Sequence, residues 1–527
     1  MNTVIETCRP VLAVVVALLA TGAVLAADLT PPQSYVHELL PHDQIETRVM
    51  PVVDVAALLV EDELRAGDRV PLRVATITPI AVNMLEVATV ETLSDGGVVR
   101  RLRIDSPGAV FLSFKFSEFD LPAGAELHFV SVHRDYFYGP FTEAHNRSTG
   151  RFGSPPVPGD AGVIELYLPD GTGQVRLVIE SVSHGYRDAM RMASVPDRLN
   201  ESPAEPMDSL PDDMETGARG GGPFGCKVDI ICPEGEPWLD DGRASAEGYD
   251  GQFICSGQLI NNVLQDNRYL YLTASHCQWW QDPSTMAYYW NYQTQTCDGN
   301  DFPPFTFSVG STELFHSPTQ QTDLDLLELD GPNLEGIYNI YFQGWNRSDD
   351  QPAMGAMIGY PNDFPKQITI TEDPVVDCAS GPCPGGFGSQ YWRVNEWHVG
   401  ISLGGSSGSC LLNEDHQLVG VLSGGVGTNC DNFSWDEFSK ISSEWSNLQP
   451  FLDPNNSGVM SIPGKDGLDV ECEGDANGDG TVDPLDSGFV LARFGCPVGT
   501  GDPSCDAADQ NGDGSVDPLD SGFVLAR

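Results

Sequence analysis

The chain has 527 residues, 40% hydrophobic and 9% aromatic, with 56 glycines and 39 prolines. That composition suits several globular domains of short strands and turns rather than long helices. Its 76 acidic residues against 27 basic ones give a formal net charge of -49; nucleic acid is excluded as an expected partner, because phosphate would be repelled.

In chain order, Arg9 precedes an apolar run from Val11 to Ala20, and Val24-Leu25-Ala26 fits a small-residue cleavage site. Residues 1–26 therefore read as a signal peptide, and the mature chain is expected to be secreted or associated with the cell surface. No later stretch is long enough to span a bilayer, so no membrane span is expected after signal removal. Of 13 cysteines, Cys8 falls in the signal, and the others are expected to be mostly oxidised in an exported protein.

Residues 27–195 contain no cysteine and alternate as strands do. Leu112, Phe114 and Phe116 fall on one face, with Ser113 and Lys115 on the other. Ile164, Leu166 and Leu168 repeat the pattern, as do Val175, Leu177 and Ile179. Turn residues such as Pro169-Asp170-Gly171 separate the runs, which predicts a β-sandwich-like domain over about 45–188. Residues 196–219 are rich in proline and acid and form a solvated linker. It ends at Ala218-Arg219-Gly220-Gly221-Gly222, an exposed basic site suited to proteolytic nicking.

Residues 220–466 hold the candidate catalytic block, with predicted strands at Tyr269–Thr273 and Gln417–Leu422. Leu272-Thr273-Ala274-Ser275-His276-Cys277 closes an apolar strand. Thr322-Asp323-Leu324-Asp325-Leu326-Leu327-Glu328-Leu329 follows, and then Gly404-Gly405-Ser406-Ser407-Gly408-Ser409. A serine hydroxyl is a weak nucleophile until an imidazole takes its proton, and a carboxylate holds that imidazole in the right tautomer. The order predicts His276 as general base and acid, Asp323 as its orienter and Ser407 as nucleophile. The glycines permit a tight turn, and the N–H groups of Gly405 and Ser407 are the candidate oxyanion hole. Asp325 is the rival orienter; Ser406 and Ser409 are rival nucleophiles. A non-catalytic binding or scaffold protein with a protease-like fold is the competing class. A metallopeptidase lacks support, because there is no His-Glu-x-x-His motif.

These motifs resemble the lysyl endopeptidases, a bacterial branch of the trypsin-like serine proteases. Also matching are Cys226 with Asp229-Ile230-Ile231-Cys232-Pro233-Glu234-Gly235, Trp290-Asn291-Tyr292-Gln293 before Cys297, Gly344-Trp345-Asn346-Arg347 and Leu452-Asp453-Pro454. The resemblance implies two antiparallel β-barrels with the triad between them, and disulfides Cys226–Cys430, Cys232–Cys297 and Cys255–Cys277. Cys378 and Cys383 are a further candidate pair, and Cys410 has no obvious partner. It places a pocket carboxylate in a segment like Trp435-Asp436-Glu437-Phe438-Ser439-Lys440, making Asp436 the candidate for binding a basic P1 side chain of protein or peptide substrates. Ser423 stands where a lysine-specific member carries histidine, so cleavage after Lys, Arg or both is expected. Arg101-Leu102-Arg103-Ile104-Asp105-Ser106-Pro107-Gly108-Ala109 and Gly139-Pro140-Phe141-Thr142 resemble the prosegments of such proteases. Residues 27–195 are therefore expected to be a β-rich prosegment of a zymogen, activated at Arg219.

After a linker at 467–473, residues 474–527 repeat themselves. Gly474-Asp475-Ala476-Asn477-Gly478-Asp479-Gly480 recurs around Asp509-Gln510-Asn511-Gly512-Asp513-Gly514. Oxygen donors fall where an EF-hand-type loop needs them. The first copy offers Asp475, Asn477, Asp479, the Thr481 carbonyl, Asp483 and Asp486; the second offers Asp509, Asn511, Asp513, the Ser515 carbonyl, Asp517 and Asp520. Calcium is the expected structural ion, and no cofactor is expected for catalysis. Aspartate at the last loop position and one apolar helix per loop resemble a dockerin module, which implies a cohesin-like receptor as partner. The expected fold class is thus mainly β: a two-barrel trypsin-like protease, a β-sandwich-like prosegment before it and a small α-helical calcium-loop module after it.

Overall fold

The structure is a computed structural model that describes residues 6–7, 30–65, 70–188, 226–278, 282–299, 306–318, 321–331, 334–379, 383, 388–426, 435–467, 481–482, 484–496, 505, 508 and 515–518. The chain is mainly β, 40% strand and 16% helix. Residues 27–467 form one compact unit and the tail from Leu468 belongs to another.

The period-two runs of the N-terminal region become strands Val98–Asp105, Phe111–Asp120, Ala161–Leu168 and Arg176–Gly185. They divide between two sheets. Leu102, Ile104, Ile164 and Leu166 of one sheet pack with Leu112, Phe114, Phe116, Leu177 and Ile179 of the other, as a β-sandwich requires.

The polar face of Phe111–Asp120 differs from expectation. Ser113 and Lys115 are buried because the catalytic block covers them. The Ser113 hydroxyl lies 2.9 Å from the Tyr249 hydroxyl, and a Cβ on Gly251 would come within 2.7 Å of Lys115 Cε. One apolar cluster joins the sandwich to Tyr249, Ile254, Ala287 and Tyr289 of the catalytic block. The Arg147 guanidinium donates to the Ser284 carbonyl at 2.7 Å and pairs with Asp330 at 2.7 Å. Alternation in sequence reports which side chains share a face, but either face can be buried if another layer packs on it.

The catalytic block folds as two sheets. The first runs Thr306–Val309, Ala287–Trp290, Ser245–Tyr249, Phe253–Leu259, Leu270–Thr273, Asp325–Leu329, Ser311–His316. The second runs Gln367–Thr371, Gly355–Gly359, Cys410–Leu412, Gln417–Val426, Trp435–Lys440, Tyr391–Val394, Val376–Asp377. Leu270, Leu272 and Leu326 of the first sheet share a core with Leu412, Leu418 and Val421 of the second. Truncating one such leucine to alanine costs about 2–5 kcal/mol, from lost burial plus the cavity left behind. The first sheet also takes in Leu72–Arg73 from the N-terminal region, antiparallel to Phe253–Ile254.

Disulfides join Cys232 to Cys297, Cys255 to Cys277 and Cys378 to Cys383, and Cys410 is a buried free thiol. The expected Cys226–Cys430 pair reaches Cys430, outside the described residues. In the tail, helix Pro484–Leu491 packs Val490 with Ala508 and Val516, near the Cys496–Cys505 disulfide. Asp486 lies on this helix and Thr481 in the strand Thr481–Val482; Ser515 and Asp517 lie in irregular backbone. Asp475, Asn477, Asp479, Asp483, Asp509, Asn511, Asp513 and Asp520 fall outside the described residues, as do Arg219 and the signal segment apart from Glu6–Thr7. No helix among the described residues is long and apolar enough to cross a membrane.

Candidate active site

His276 stands in a 3-10 turn, Ser275–Gln278, after strand Leu270–Thr273, and the Cys255–Cys277 disulfide ties that turn to the neighbouring strand. Asp323 precedes the adjacent strand with φ 54°, a left-handed conformation that aspartate tolerates better than most residues. The pairing Leu270–Thr273 with Asp325–Leu329 brings the two together. His276 Nδ1 lies 2.8 Å from Asp323 Oδ2, and the His276 backbone N–H donates to Oδ1 at 2.9 Å. The Ser275 hydroxyl donates to Oδ1 at 2.7 Å and the Ser423 hydroxyl donates to Oδ2. Burial pushes the Asp323 carboxyl up. The His276 charge and the donors from His276, Ser423 and Ser275 outweigh that and hold it below its usual range.

Ser407 is supplied by the second sheet. Gly405 and Gly408 have φ of 90° and 85°, and a Cβ on Gly408 would sit 2.2 Å from both the Ser256 carbonyl and Thr273 Oγ1. Glycine is thus required there on two counts. The close approach seats the serine turn against the strand that leads to His276. Ser256 locks it further, its N–H donating to the Ser407 carbonyl at 2.8 Å and its hydroxyl to the Gly405 carbonyl at 2.9 Å. Ser407 is half-buried, whereas Ser406 and Ser409 are fully buried. His276 Nε2 is buried and has no hydrogen-bond partner among the described residues, so it is available to accept a proton. Asp325 is turned to a different histidine, His316.

Asp436 lies on strand Trp435–Lys440, opposite Gly425 on the strand that carries Ser423. A Cβ on Gly425 would fall 1.9 Å from Asp436 Oδ1, so only glycine leaves room beside the carboxylate. Trp397 Nε1 donates to Asp436 Oδ2 at 2.7 Å, and so does the Ser402 hydroxyl, from the segment that leads to Ser407. Burial raises the Asp436 carboxyl to about 6 against the pull of those two donors.

Leu72–Arg73 runs along the same region. Val74 and Ala75 donate to the Gln252 carbonyl at 2.9 and 3.1 Å, and Leu72 Cδ1 is 3.4 Å from where a Gly404 Cβ would be. Sequence reasoning missed Leu72, Ser275, Trp397 and Ser402 as members of the site and read Ser423 only for the P1 pocket. Ser275 had a usable signal, its place beside His276. The others are recruited by contacts far apart in the chain.

Two family models match the chain. The lysyl endopeptidase C-terminal domain covers residues 222–439 and the lysyl endopeptidase N-terminal domain covers 57–186. A lysyl endopeptidase of Pseudomonas aeruginosa PAO1 is 27% identical over 419 residues, 73% of this chain and 82% of the relative. These matches support the lysyl endopeptidase family. They support a serine protease with it, and the C-terminal match takes in His276, Asp323, Ser407 and Asp436. Among solved structures, the HtrA-type protease AlgW with a tripeptide is 15% identical. The match covers 41% of this chain and 62% of that one, with a TM-score of 0.28. AlgW with a decapeptide is 13% identical, with 40% and 64% covered and a TM-score of 0.28.

Proposed function

We propose that the protein is a secreted serine endopeptidase, made as a zymogen, that hydrolyses peptide bonds after Lys or Arg. The observation that carries this reading is the His276–Asp323 pair, its Nε2 unengaged, set beside a glycine-framed serine turn. Ser407 Oγ attacks the scissile carbonyl carbon as His276 Nε2 takes its proton. The N–H groups of Gly405 and Ser407 stabilise the oxyanion, and His276 then protonates the leaving amine. Water repeats the sequence on the acyl-enzyme, returning the proton to Ser407. Asp436 receives the P1 cation, a role that suits a buried carboxylate whose two side-chain donors both meet Oδ2.

Zymogen character is supported by Leu72–Arg73, which occupies a backbone edge beside the serine turn that an extended substrate would use. In the tail, duplicated carboxylate and amide oxygens at EF-hand spacing are a donor set for calcium. A hard dication would relieve their mutual repulsion. Docking of that module to a cohesin-like receptor rests on the spacing alone.

The test is cleavage of matched peptides with Lys, Arg or Leu at P1 by processed protein and by Ser407→Ala. Cleavage after Lys or Arg should fall by about 10⁶-fold in the variant. Cleavage after Leu alone rejects Asp436 as the P1 acid. Folded, processed protein that cleaves nothing supports the binding-protein class instead.

A further inference from the structure

Beyond the triad, one cluster of metal-ligating side chains is built by a local irregularity. Strand Ser311–His316 pairs with Asp325–Leu329, and the register slips between Glu313 and Phe315. In a regular strand, residues three apart point to opposite faces. The bulge at Leu314 removes that opposition. Leu314 and Phe315 both pack on the core, while Glu313 and His316 come together beside Asp325. His316 pairs directly with Asp325 across the hairpin. One ligand atom from each of Glu313, His316 and Asp325 lies within 4.8 Å of the other two. His316 Nδ1 is 3.6 Å from Asp325 Oδ2 and 4.0 Å from Glu313 Oε2.

A second observation is independent of that clustering. The Asp325 carboxylate is 0% exposed, and neither of its oxygens has a hydrogen-bond partner among the described residues. Its cationic neighbour, His316 Nδ1, stands at 3.6 Å, beyond ordinary hydrogen-bond reach, and a buried carboxylate so loosely met is costly unless a cation meets it more closely. Burial raises the Asp325 carboxyl to about 7, the His316 contact opposes this, and the charges of Glu313 and Asp323 add to it. Two carboxylates and one imidazole favour a borderline metal over calcium or magnesium, which prefer oxygen alone. Around tetrahedral zinc, ligand atoms about 2.0–2.2 Å from the ion stand roughly 3.4 Å apart. The three atoms lie within 4.8 Å of one another, so the site must contract to reach that spacing, and Glu313 and His316, 47% and 38% exposed, can supply the movement. Their exposure also leaves a path from solvent and a fourth position for water.

We propose that Glu313, His316 and Asp325 form a binding site for one zinc-class divalent cation, separated from Asp323 by Leu324 alone.

The test uses the full chain carrying Ser407→Ala, so that metal binding is measured whether or not the protein is a protease. With calcium in excess to occupy the tail, zinc is titrated against a chromophoric chelator. The same titration is run after adding His316→Ala, Glu313→Gln or Asp325→Asn. The expected result is one zinc equivalent lost in His316→Ala, a drop in affinity of about tenfold or more in Glu313→Gln, and loss in Asp325→Asn. Cobalt bound at the same stoichiometry should give the visible bands of a four-coordinate site, absent in His316→Ala. Zinc stoichiometry and affinity unchanged by His316→Ala would overturn the proposal, as would failure of the parent protein to bind zinc. His316 is partly exposed, so its truncation should leave the fold intact even if Asp325→Asn does not fold.

Discussion

Asp323 and Asp436 are both buried carboxylates of the same catalytic block, at 0% and 3% exposure, yet they are held in different states. Asp323 collects donors from His276 Nδ1, the His276 backbone, Ser275 and Ser423, and stays below the usual carboxylate range. Asp436 has Trp397 and Ser402 and rises to about 6. Asp325, met only loosely by His316 at 3.6 Å, rises to about 7. Burial raises all three; at Asp323 the His276 charge and its donors outweigh it, whereas the two donors to Asp436 and the His316 contact with Asp325 do not. A carboxylate that must remain charged to hold an imidazole is given its full set of partners. The two proposed to receive a cation have fewer partners.

The largest break in this comparison is expected from Asp323→Asn, which keeps the shape but allows the wrong tautomer of His276. It should lower kcat by about 10⁴-fold, measured on a Lys or Arg peptide. A loss under tenfold would remove Asp323 from the mechanism. Next, Asp436→Asn should lower kcat/KM for that peptide by about 10³-fold, the cost of breaking a buried charge pair, and should leave a Leu peptide nearly untouched. Equal losses on both peptides would make Asp436 a structural acid.

A smaller effect sharpens the contrast in charge state. With its carboxyl raised to about 6, Asp436 is ionised above that pH and protonated below it. The kcat/KM ratio of Lys to Leu peptides should therefore fall as pH drops through about 6. Ser402→Ala removes a donor to the ionised form, so the midpoint should move upward; a downward move would contradict the assigned hydrogen bond. Ser423→Ala removes one of several donors to Asp323 and should lower kcat by about tenfold, the value of a hydrogen bond to a charged group.

A separate effect, on stability rather than on catalysis, lies in the sandwich. Burial lowers His128 to about 4, partly offset by its bond to the Thr30 carbonyl. The unfolded chain then binds more protons than the folded one between about pH 6.5 and 4. His128 thus costs nothing above that window and progressively destabilises the fold within it, by roughly 3 kcal/mol at the bottom. His128→Gln should flatten the acid side of a Tm–pH profile. An unchanged profile would show that His128 is protonated while folded.

Much of the fold and of the candidate site was legible because its signals are local. Alternating runs mark strands at Phe111–Asp120 and Ala161–Leu168. The strand predicted at Gln417–Leu422 extends to Val426. Glycines around Ser407 mark a tight turn. The donors to Asp436 were not legible, because Trp397 and Ser402 meet it only when the second sheet is formed. The same holds for Ser423, which the motif comparison ties to the P1 pocket and the fold aims at Asp323.

By itself, then, the sequence determined the elements, the order of histidine, aspartate and serine, and the places where only glycine can stand, since each depends on neighbours along the chain. Tertiary structure turned the rival Asp325 away from His276 and towards His316. It buried Ser113 and Lys115 beneath Tyr249 and Gly251, carried Leu72–Arg73 to the edge of the protease sheet, and used a bulge at Leu314 to set Glu313 and His316 beside Asp325. Those outcomes depend on strand register and on packing between sheets, which join residues far apart in sequence and leave no periodic trace in either partner.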